Sequence, residues 1–338
     1  MDDLTICSVY HNEETKRLLE LNEQLVRQMN PGVRITWLVS DGSQPGTPPL
    51  DPSRFTTVPG FRPDNAPALI ADRPDFKMFT NSYLHGASLN DLLSHVKTRF
   101  AVLLDNDFFI VRPEWMREVV AHMRGHNLSF FGSPFHPRRF DKYRYFPCQQ
   151  CFFVDLSRVD YRTLDFIGPH GETLTLADKV ARKIFHLFDP KRFRIGRSRD
   201  TSVAVFDRYG HDRTHRRETV QPVFDPAFDF SDASRFTAPA FAASRANQVL
   251  EWFLPDRFCY TPKRRGYVSH TGFREAGYPD VRAVAGGNVN SLAWEEYMWQ
   301  GVPFGVHMQG VSKRFRRGQI DLKETFASLE KAVNSYAK

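Results

Sequence analysis

The sequence predicts an α/β protein with a mainly parallel central sheet. Short apolar runs alternate with helix-like segments over the first 110 residues, and polar clusters follow two of those runs. Alternating strands and helices are typical of a parallel sheet, which binds its ligands at the carboxyl ends of the strands. Both polar clusters, one around Asp41 and one around Asp105, lie at such ends. We therefore expect a ligand site at this edge of the sheet.

The elements of the first half follow from apolar periodicity and from breakers. A short β-branched run predicts a strand over residues 5–10, and apolar residues at steps of three and four predict a helix over residues 13–29. Pro31-Gly32 ends that helix. The remaining predicted elements are a strand at 34–39, a proline- and glycine-rich connection to residue 66, a helix at 81–96 and a buried strand at 100–104.

The second half has a less regular pattern. Residues 179–217 are unusually basic, and residues 224–246 have the composition of a long loop. The predicted elements are a strand at 152–156, a helix at 202–209, a strand–turn pattern at 258–272, a buried strand at 302–307 and a helix from residue 320.

Composition and charge limit the class of protein. The chain of 338 residues is 41% hydrophobic and contains thirty phenylalanines, which excludes disorder and collagen-like repeats. Its net charge of +7, from 46 basic and 39 acidic residues, favours an anionic partner. No uncharged apolar run reaches the roughly 20 residues that span a bilayer, the start does not resemble a signal peptide, and four cysteines do not make a disulfide scaffold. We therefore expect a soluble cytoplasmic protein.

Two carboxylates, Asp105 and Asp107, flank Asn106 directly after the buried strand. Residues i and i+2 of an extended strand point to the same side, so both carboxylates can supply oxygen ligands to Mg²⁺ or Mn²⁺, together with pyrophosphate oxygens and water. The alternative is a surface turn, because Asp-Asn-Asp is common in turns. The apolar residues on either side favour the metal site.

Four short motifs occur in order: Tyr10-His11-Asn12, Ser40-Asp41-Gly42-Ser43, Gly86-Ala87-Ser88-Leu89-Asn90 and Asp105-Asn106-Asp107. In this order and spacing they resemble the motifs of GT-A fold glycosyltransferases, and the first 110 residues are similar to family-2 enzymes. Ser40 departs from the pattern, because the family often has an aspartate there, so recognition of the base is expected to differ.

The resemblance implies a Rossmann-like GT-A fold, a UDP- or GDP-linked nucleotide-diphospho-sugar donor and a glycan or lipid-linked acceptor. Asp41 would contact the base or ribose, Asp105 and Asp107 would hold the ribose and a Mn²⁺ or Mg²⁺ ion, and Tyr10, Asn12 and Asn90 would join the donor site. It divides the chain into a nucleotide-sugar-binding half at 1–110, an irregular acceptor-binding half at 111–319 with a mobile loop at 224–246, and a C-terminal helix at 320–338.

The resemblance also implies roles in the middle of the chain. Gln149 and Gln150 precede a strand where GT-A enzymes have a polar turn, and would hydrogen-bond the hydroxyls of the donor sugar. Asp200 resembles the acidic residue that opens an acceptor-side helix in family-2 enzymes and acts as catalytic base; the alternative is an N-cap of the helix at 202–209. Cys148 and Cys151 invite a zinc or redox interpretation, but Cys7 and Cys259 form no second pair, so buried hydrophobic roles are favoured.

Near the C-terminus, His307-x-x-Gly310-x-x-Lys313 resembles the motif of retaining family-8 enzymes, where the histidine completes the metal site and the lysine meets the diphosphate. The Pro-Trp that follows in that family is replaced by Arg314-Phe315. His270, which also follows a short strand, is the second choice for the metal site. Because the first half is similar to inverting enzymes, the stereochemical outcome stays open.

Function classes outside glycosyl transfer are less well supported. A sugar-nucleotide pyrophosphorylase would carry a glycine-rich loop after its first strand, where this chain has Tyr10-His11-Asn12-Glu13-Glu14. A basic nucleic-acid or membrane-surface module would explain residues 179–217, but apolar and acidic residues interrupt that stretch and no nucleic-acid motif accompanies it. The sequence therefore predicts a metal-dependent glycosyltransferase of bacterial surface-polysaccharide assembly, with no nucleic-acid partner, and with peripheral contact at the inner face of the membrane if the acceptor is lipid-linked. It does not predict the oligomeric state.

Overall fold

The computed structural model describes residues 3–136, 145–168, 201–210, 212–223 and 294–308, and the single residues 327 and 331. Its strands are β1 (Leu4–Tyr10), β2 (Thr36–Asp41), β3 (Thr56–Pro59), β4 (Phe100–Leu104), β5 (Phe108–Ile110), β6 (Phe130–Gly132), β7 (Cys151–Asp155), β8 (Arg217–Thr219), β9 (Gln221–Pro222), β10 (Trp294–Trp299) and β11 (Val302–Met308). Its helices are α1 (Glu13–Met29), α2 (Ala68–Ala71), α3 (Phe76–His95), α4 (Trp115–His126), α5 (Val203–Tyr209) and a 3-10 turn at Tyr161–Thr163.

The strands form two sheets. The central sheet has seven strands in the order β3-β2-β1-β4-β7-β6-β8. Strands β1 to β4 are mutually parallel, β7 is antiparallel to both of its neighbours, and β6 pairs with β8 in parallel. The predicted α/β class with a mainly parallel central sheet is confirmed. A second sheet has four strands in the order β5-β11-β10-β9. Because β5 follows β4 closely in the chain and pairs with β11, this sheet places the C-terminal strands β10 and β11 near the end of β4.

Helices cover both faces of the central sheet. Alternation along β1 sends Ile6 into the apolar cluster that contains α1 and α4, and Cys7 into the cluster that contains α3 and α5. Because both faces are buried, the central strands read as continuous apolar runs, as in β4. This two-sided packing fixes the carboxyl ends of β1, β2 and β4 at one edge.

Most predicted elements of the described residues are confirmed, and the largest changes of boundary are in β2 and α3. Strand β2 ends at Asp41, two residues beyond the predicted end, because parallel pairing with β1 continues to the Tyr10–Asp41 register. Helix α3 begins at Phe76, before the predicted start at residue 81, because a short helical segment precedes a kink at Phe79. Three predicted features lie outside the described residues: the loop at 224–246, the strand–turn pattern at 258–272 and all but two residues of the C-terminal helix. The division of the chain at residue 110 stays a prediction.

Among the helices of the described residues, none has the length and apolar character needed to span a bilayer.

A buried carboxylate, Asp155 at the end of β7, joins β7 to the start of β4. Its Oδ2 lies 2.7 Å from Arg99 Nη2, and its Oδ1 accepts hydrogen bonds from the backbone and hydroxyl of Ser157. Burial raises the pKa of Asp155, but the hydrogen bonds from Arg99 and Ser157 outweigh burial and hold the pKa below its ordinary value.

We expect Asp155→Asn to lower the free energy of unfolding at pH 7 by about 2 kcal/mol, because hydrogen bonds to a charged acceptor are weakened. A carboxyl group whose pKa is lower in the folded state stabilises the fold above its unfolded pKa of about 3.9, and this contribution is lost as the pH falls through the folded pKa. The difference in the free energy of unfolding between variant and wild type should therefore become smaller at acid pH. Urea unfolding at pH 7 and at pH 2–3 measures it, with the exposed Asp72→Asn as control. A difference that does not change with pH would contradict the ionic contribution.

Candidate active site

The acidic turn after β4 is held by backbone contacts to its neighbours. The amide of Asp105 donates to the carbonyl of Gln150 at 3.0 Å, and the amide of Phe108 donates to the carbonyl of Asp105 at 3.0 Å. Asn106 is buried, and its Nδ2 donates to the carbonyl of Val9 in β1 at 2.8 Å. The backbone of these residues thus forms a turn. Its carboxylates, Asp105 and Asp107, are only partly exposed, whereas those of a simple surface turn would be open to solvent.

His307 reaches the acidic turn through the second sheet. Strand β11 pairs antiparallel with β5, which sets His307 opposite Phe108, and the amide of Met308 donates to the carbonyl of Asp107 at 2.8 Å. His307 Nε2 lies 3.4 Å from Asp107 Oδ1. One ligand atom each of Asp105, Asp107 and His307 lies within 4.8 Å of the others. The structure thus brings together the residues that the sequence analysis assigned to one metal site.

The chemistry of this group suits a divalent cation. Two carboxylates and one imidazole form a donor set typical of Mn²⁺, and the buried ring of His307 is held through Nδ1, 2.7 Å from Glu295 Oε2. Burial lowers the pKa of His307, but the carboxylates of Asp107 and Glu295 outweigh burial and raise it to about 10. The surroundings therefore favour positive charge at this point, which a metal ion would supply. Sequence analysis missed Glu295.

A second polar group lies at the ends of β1 and β2. Tyr10 and Asp41 are register partners; Tyr10 is fully buried, and Asp41 Oδ1 accepts a hydrogen bond from the amide of Ser43 at 2.9 Å. Burial raises the pKa of Asp41, but the hydroxyl and amide of Ser43, with the charge of Arg62, hold it below its ordinary value. Asp41 is therefore an ionised acceptor at the predicted edge, in the place expected for a base or ribose contact.

Two histidines that sequence analysis did not assign lie between the two groups. His85 Nε2, on α3, lies 3.5 Å from Asp105 Oδ1, and its ring centroid is 6.2 Å from that of His11. Burial and the nearby His85 lower the pKa of His11 to about 4, so that ring is neutral at pH 7. A β-carbon at position 42 would come within 2.7 Å of His11 Nδ1, which explains the glycine in the Asp41-Gly42 motif. His11 lies within one of the four motifs and His85 directly precedes another, and this position was the only sequence signal for either histidine.

Gln149 and Gln150 differ in their surroundings. Gln150 is buried, and its Nε2 lies 2.8 Å from the hydroxyl of Tyr297 and 3.1 Å from the carbonyl of Pro134. Gln149 is also buried, and its Oε1 has no hydrogen-bond partner among the described residues. Gln149 Oε1 therefore has acceptor capacity that no described residue uses, whereas the side-chain amide of Gln150 is already used within the protein. Both donor-sugar contacts stay predictions. Cys148 and Cys151 are buried and form no disulfide with a described residue, in keeping with hydrophobic roles.

Two predicted donor contacts, Asn12 and Asn90, have side chains with structural partners. Asn12 is the N-cap of α1, where its Oδ1 accepts from the amide of Thr15 at 2.9 Å in a capping box. Asn90 Oδ1 accepts from the amide of Phe166 at 2.9 Å. Four residues earlier, a β-carbon at Gly86 would lie 2.2 Å from the carbonyl oxygen of Phe166. The glycine and asparagine of this motif therefore dock one segment on α3, and their donor contacts stay predictions.

Three predicted site residues, Asp200, His270 and Lys313, lie outside the described residues. Their assigned roles as catalytic base, second-choice metal ligand and diphosphate contact stay predictions.

No protein-family model matches this chain, and no curated protein matches it. Solved structures with some likeness include galactosyltransferase LgtC in complex with donor and acceptor sugar analogs, at 10% identity and a TM-score of 0.37 over 64% of this chain and 73% of that one. Mannosyltransferase PcManGT from Pyrobaculum calidifontis, in complex with GDP-Man and Mn²⁺, matches at 13% identity and a TM-score of 0.33 over 99% of this chain and 86% of that one. At these values the likeness is distant, so the geometry of the site has to carry the functional assignment.

Proposed function

We propose that the protein is a metal-dependent glycosyltransferase that moves a sugar from a nucleotide-diphospho-sugar to a hydroxyl of a glycan or lipid-linked acceptor. The observation that carries this proposal is the convergence of Asp105, Asp107 and His307 at the carboxyl edge of the sheet. Ionised Asp41 at the end of the adjacent β1–β2 pair supports it, because a nucleoside bound there would place its diphosphate toward the acidic turn.

The residues of the site divide into those that would hold the metal and those that would hold the donor. Asp105, Asp107 and His307 Nε2 would hold Mn²⁺ or Mg²⁺, which as a Lewis acid neutralises charge on diphosphate oxygens. Asp41 would accept a hydrogen bond from the base or ribose. Gln149, whose Oε1 has no partner among the described residues, would face a sugar hydroxyl.

We propose Asp200 as the base that removes the proton of the acceptor hydroxyl, if transfer inverts the anomeric carbon. Lys313 and the basic stretch at 179–217 would then meet phosphate charge, in agreement with the net charge of +7. The setting that we propose is bacterial surface-polysaccharide assembly at the inner face of the membrane. Proton NMR of the anomeric centre of the product distinguishes inversion from retention.

We expect at least one of UDP and GDP to bind about tenfold or more tightly with Mn²⁺ than with EDTA, a difference of roughly 1.4 kcal/mol. The reason is that a metal held by two carboxylates bridges protein and diphosphate, whereas the carboxylates alone repel the diphosphate. Isothermal titration calorimetry of each nucleotide, with and without Mn²⁺, measures the effect.

Asp107→Ala is expected to remove the Mn²⁺ dependence, and Asp51→Ala, which removes an exposed carboxylate outside the candidate metal group, is the matched control. Equal affinity with and without metal for every nucleotide tested would count against the proposed function.

A further inference from the structure

We propose that Glu295 is a positioning residue that holds His307 for metal coordination, at the end of a buried hydrogen-bond chain that includes Tyr297 and Gln150. This inference rests on the proposed function, since it requires a metal at Asp105, Asp107 and His307. It assigns a role to Glu295 and Tyr297, which no sequence motif identified.

The contact between Glu295 and His307 is built into the hairpin of β10 and β11. The two residues are register partners, and both are buried. His307 Nδ1 lies 2.7 Å from Glu295 Oε2, while Nε2 on the other side of the ring lies 3.4 Å from Asp107 Oδ1. With a metal bound, a proton held on Nδ1 by the carboxylate would leave the lone pair of Nε2 for the metal. A carboxylate on the far side of the ring fixes the tautomer and orientation of a metal-binding histidine in this way.

The chain of contacts continues from Glu295 back to the acidic turn. The hydroxyl of Tyr297 lies 3.4 Å from Glu295 Oε2, and Gln150 Nε2 lies 2.8 Å from the same hydroxyl. The carbonyl of Gln150 accepts the amide hydrogen bond of Asp105 at 3.0 Å. The chain therefore links the two sides of the metal group, and it includes Gln150 through both its side chain and its backbone.

The presence of a carboxylate at position 295 requires an explanation. Burying an ionised carboxylate is costly unless it is paired and hydrogen-bonded, and an amide of the same shape would occupy the strand at lower cost. Its partner in this position is the imidazole of His307. A carboxylate makes that imidazole more basic and fixes its orientation, which benefits a metal ligand and brings little to a purely structural hairpin.

The test measures Mn²⁺ affinity by calorimetry for the full chain and a double-mutant cycle. We expect Glu295→Gln to weaken Mn²⁺ binding by about 10–100-fold. In a His307→Ala background the same substitution should change the affinity by less than about threefold, because Glu295 acts through the imidazole. Glu296→Gln is the matched control, because Glu296 is the adjacent buried glutamate, pairs with Val306 and points to the other face of β10. It should leave the affinity within about twofold of wild type.

Two results would overturn the inference while leaving the proposed function intact: wild-type affinity in Glu295→Gln, or losses that simply add in the double variant. If Glu295→Gln does not fold, Tyr297→Phe removes one hydroxyl of the chain and is expected to weaken Mn²⁺ binding by a few-fold; an unchanged affinity would overturn the inference. If wild-type protein binds no Mn²⁺ with or without nucleotide, the metal site itself is wrong, and the inference and metal dependence fail together.

Discussion

Replacing Asp107 with asparagine is expected to lower the rate of sugar transfer by about 10²–10³-fold while the protein remains folded. The change keeps the size of the side chain and the backbone hydrogen bond from Met308, but it removes one of the two carboxylate charges of the candidate metal group. Metal stabilisation of charge contributes several kcal/mol to such reactions, and each 1.36 kcal/mol corresponds to a factor of ten in rate. The loss should therefore reach two to three orders of magnitude.

The measurement begins with a donor-hydrolysis screen across nucleotide sugars, which identifies the donor, and then compares kcat/KM of wild type and variant at several Mn²⁺ concentrations. Raising Mn²⁺ should restore part of the activity, because much of the loss arises from weaker metal binding. Asp51→Asn, on an exposed loop, is the control for loss of a carboxylate and should behave as wild type. Full activity of Asp107→Asn, or of wild type in EDTA, would exclude a catalytic metal at this turn.

The parts of the site that sequence analysis predicted depend on short-range pattern. Asp105 and Asp107 follow the uninterrupted apolar strand β4, and Asp41 is the last residue of β2. The rule that parallel strands bind ligands at their carboxyl ends was therefore enough to place all three at one edge. The first helix was likewise predicted at its full length, because an apolar face with a spacing of three and four residues extends from Leu18 to Met29.

The histidine of the metal group depends on long-range pairing, which the sequence does not encode locally. His307 was the first choice because its His-x-x-Gly-x-x-Lys motif resembles that of family-8 enzymes, and His270, which also follows a short strand, was the second. What brings His307 to Asp107 is the pairing of β11 with β5, elements separated by almost 200 residues of chain. Whether His270 also approaches the site concerns residues outside the described part of the chain.

Glu295 was missed because no strand was predicted over residues 294–299 and no motif marked the two adjacent glutamates. In an alternating pattern, one of the adjacent Glu295 and Glu296 would face solvent and carry no information. Strand β10 instead lies between β11 and β9, and both glutamates are buried. A buried carboxylate needs a partner that only the fold can supply. Asn90, which the resemblance assigned to the donor, has a structural partner that the sequence did not indicate, the amide of Phe166, and its donor contact stays a prediction.

Replacing Gly132 with alanine is expected to destabilise the protein by about 3 kcal/mol or more. Gly132 ends β6 with φ of +147°, a backbone conformation that side-chain-bearing residues rarely adopt. A β-carbon there would lie 2.0 Å from the carbonyl oxygen of Cys151, so either the pairing of β6 with β7 or the path of β7 has to shift. The atoms nearest to the added β-carbon are backbone atoms of Cys151 and Phe152, which leave little room for relaxation.

The same substitution is expected to weaken Mn²⁺ binding in the fraction that remains folded. Cys151 directly follows Gln150, whose carbonyl accepts the amide hydrogen bond of Asp105, so a displaced β7 would also displace the acidic turn. Urea unfolding measures the stability, and calorimetry under native conditions measures the metal affinity. Gly125→Ala in α4 is the matched control: nothing lies within 4 Å of its added β-carbon, and removal of a helical glycine should stabilise the protein by about 0.5–1 kcal/mol. Wild-type stability in Gly132→Ala would mean that β6 and β7 do not approach as closely as described, and the support that they give to Asp105 would have to come from elsewhere.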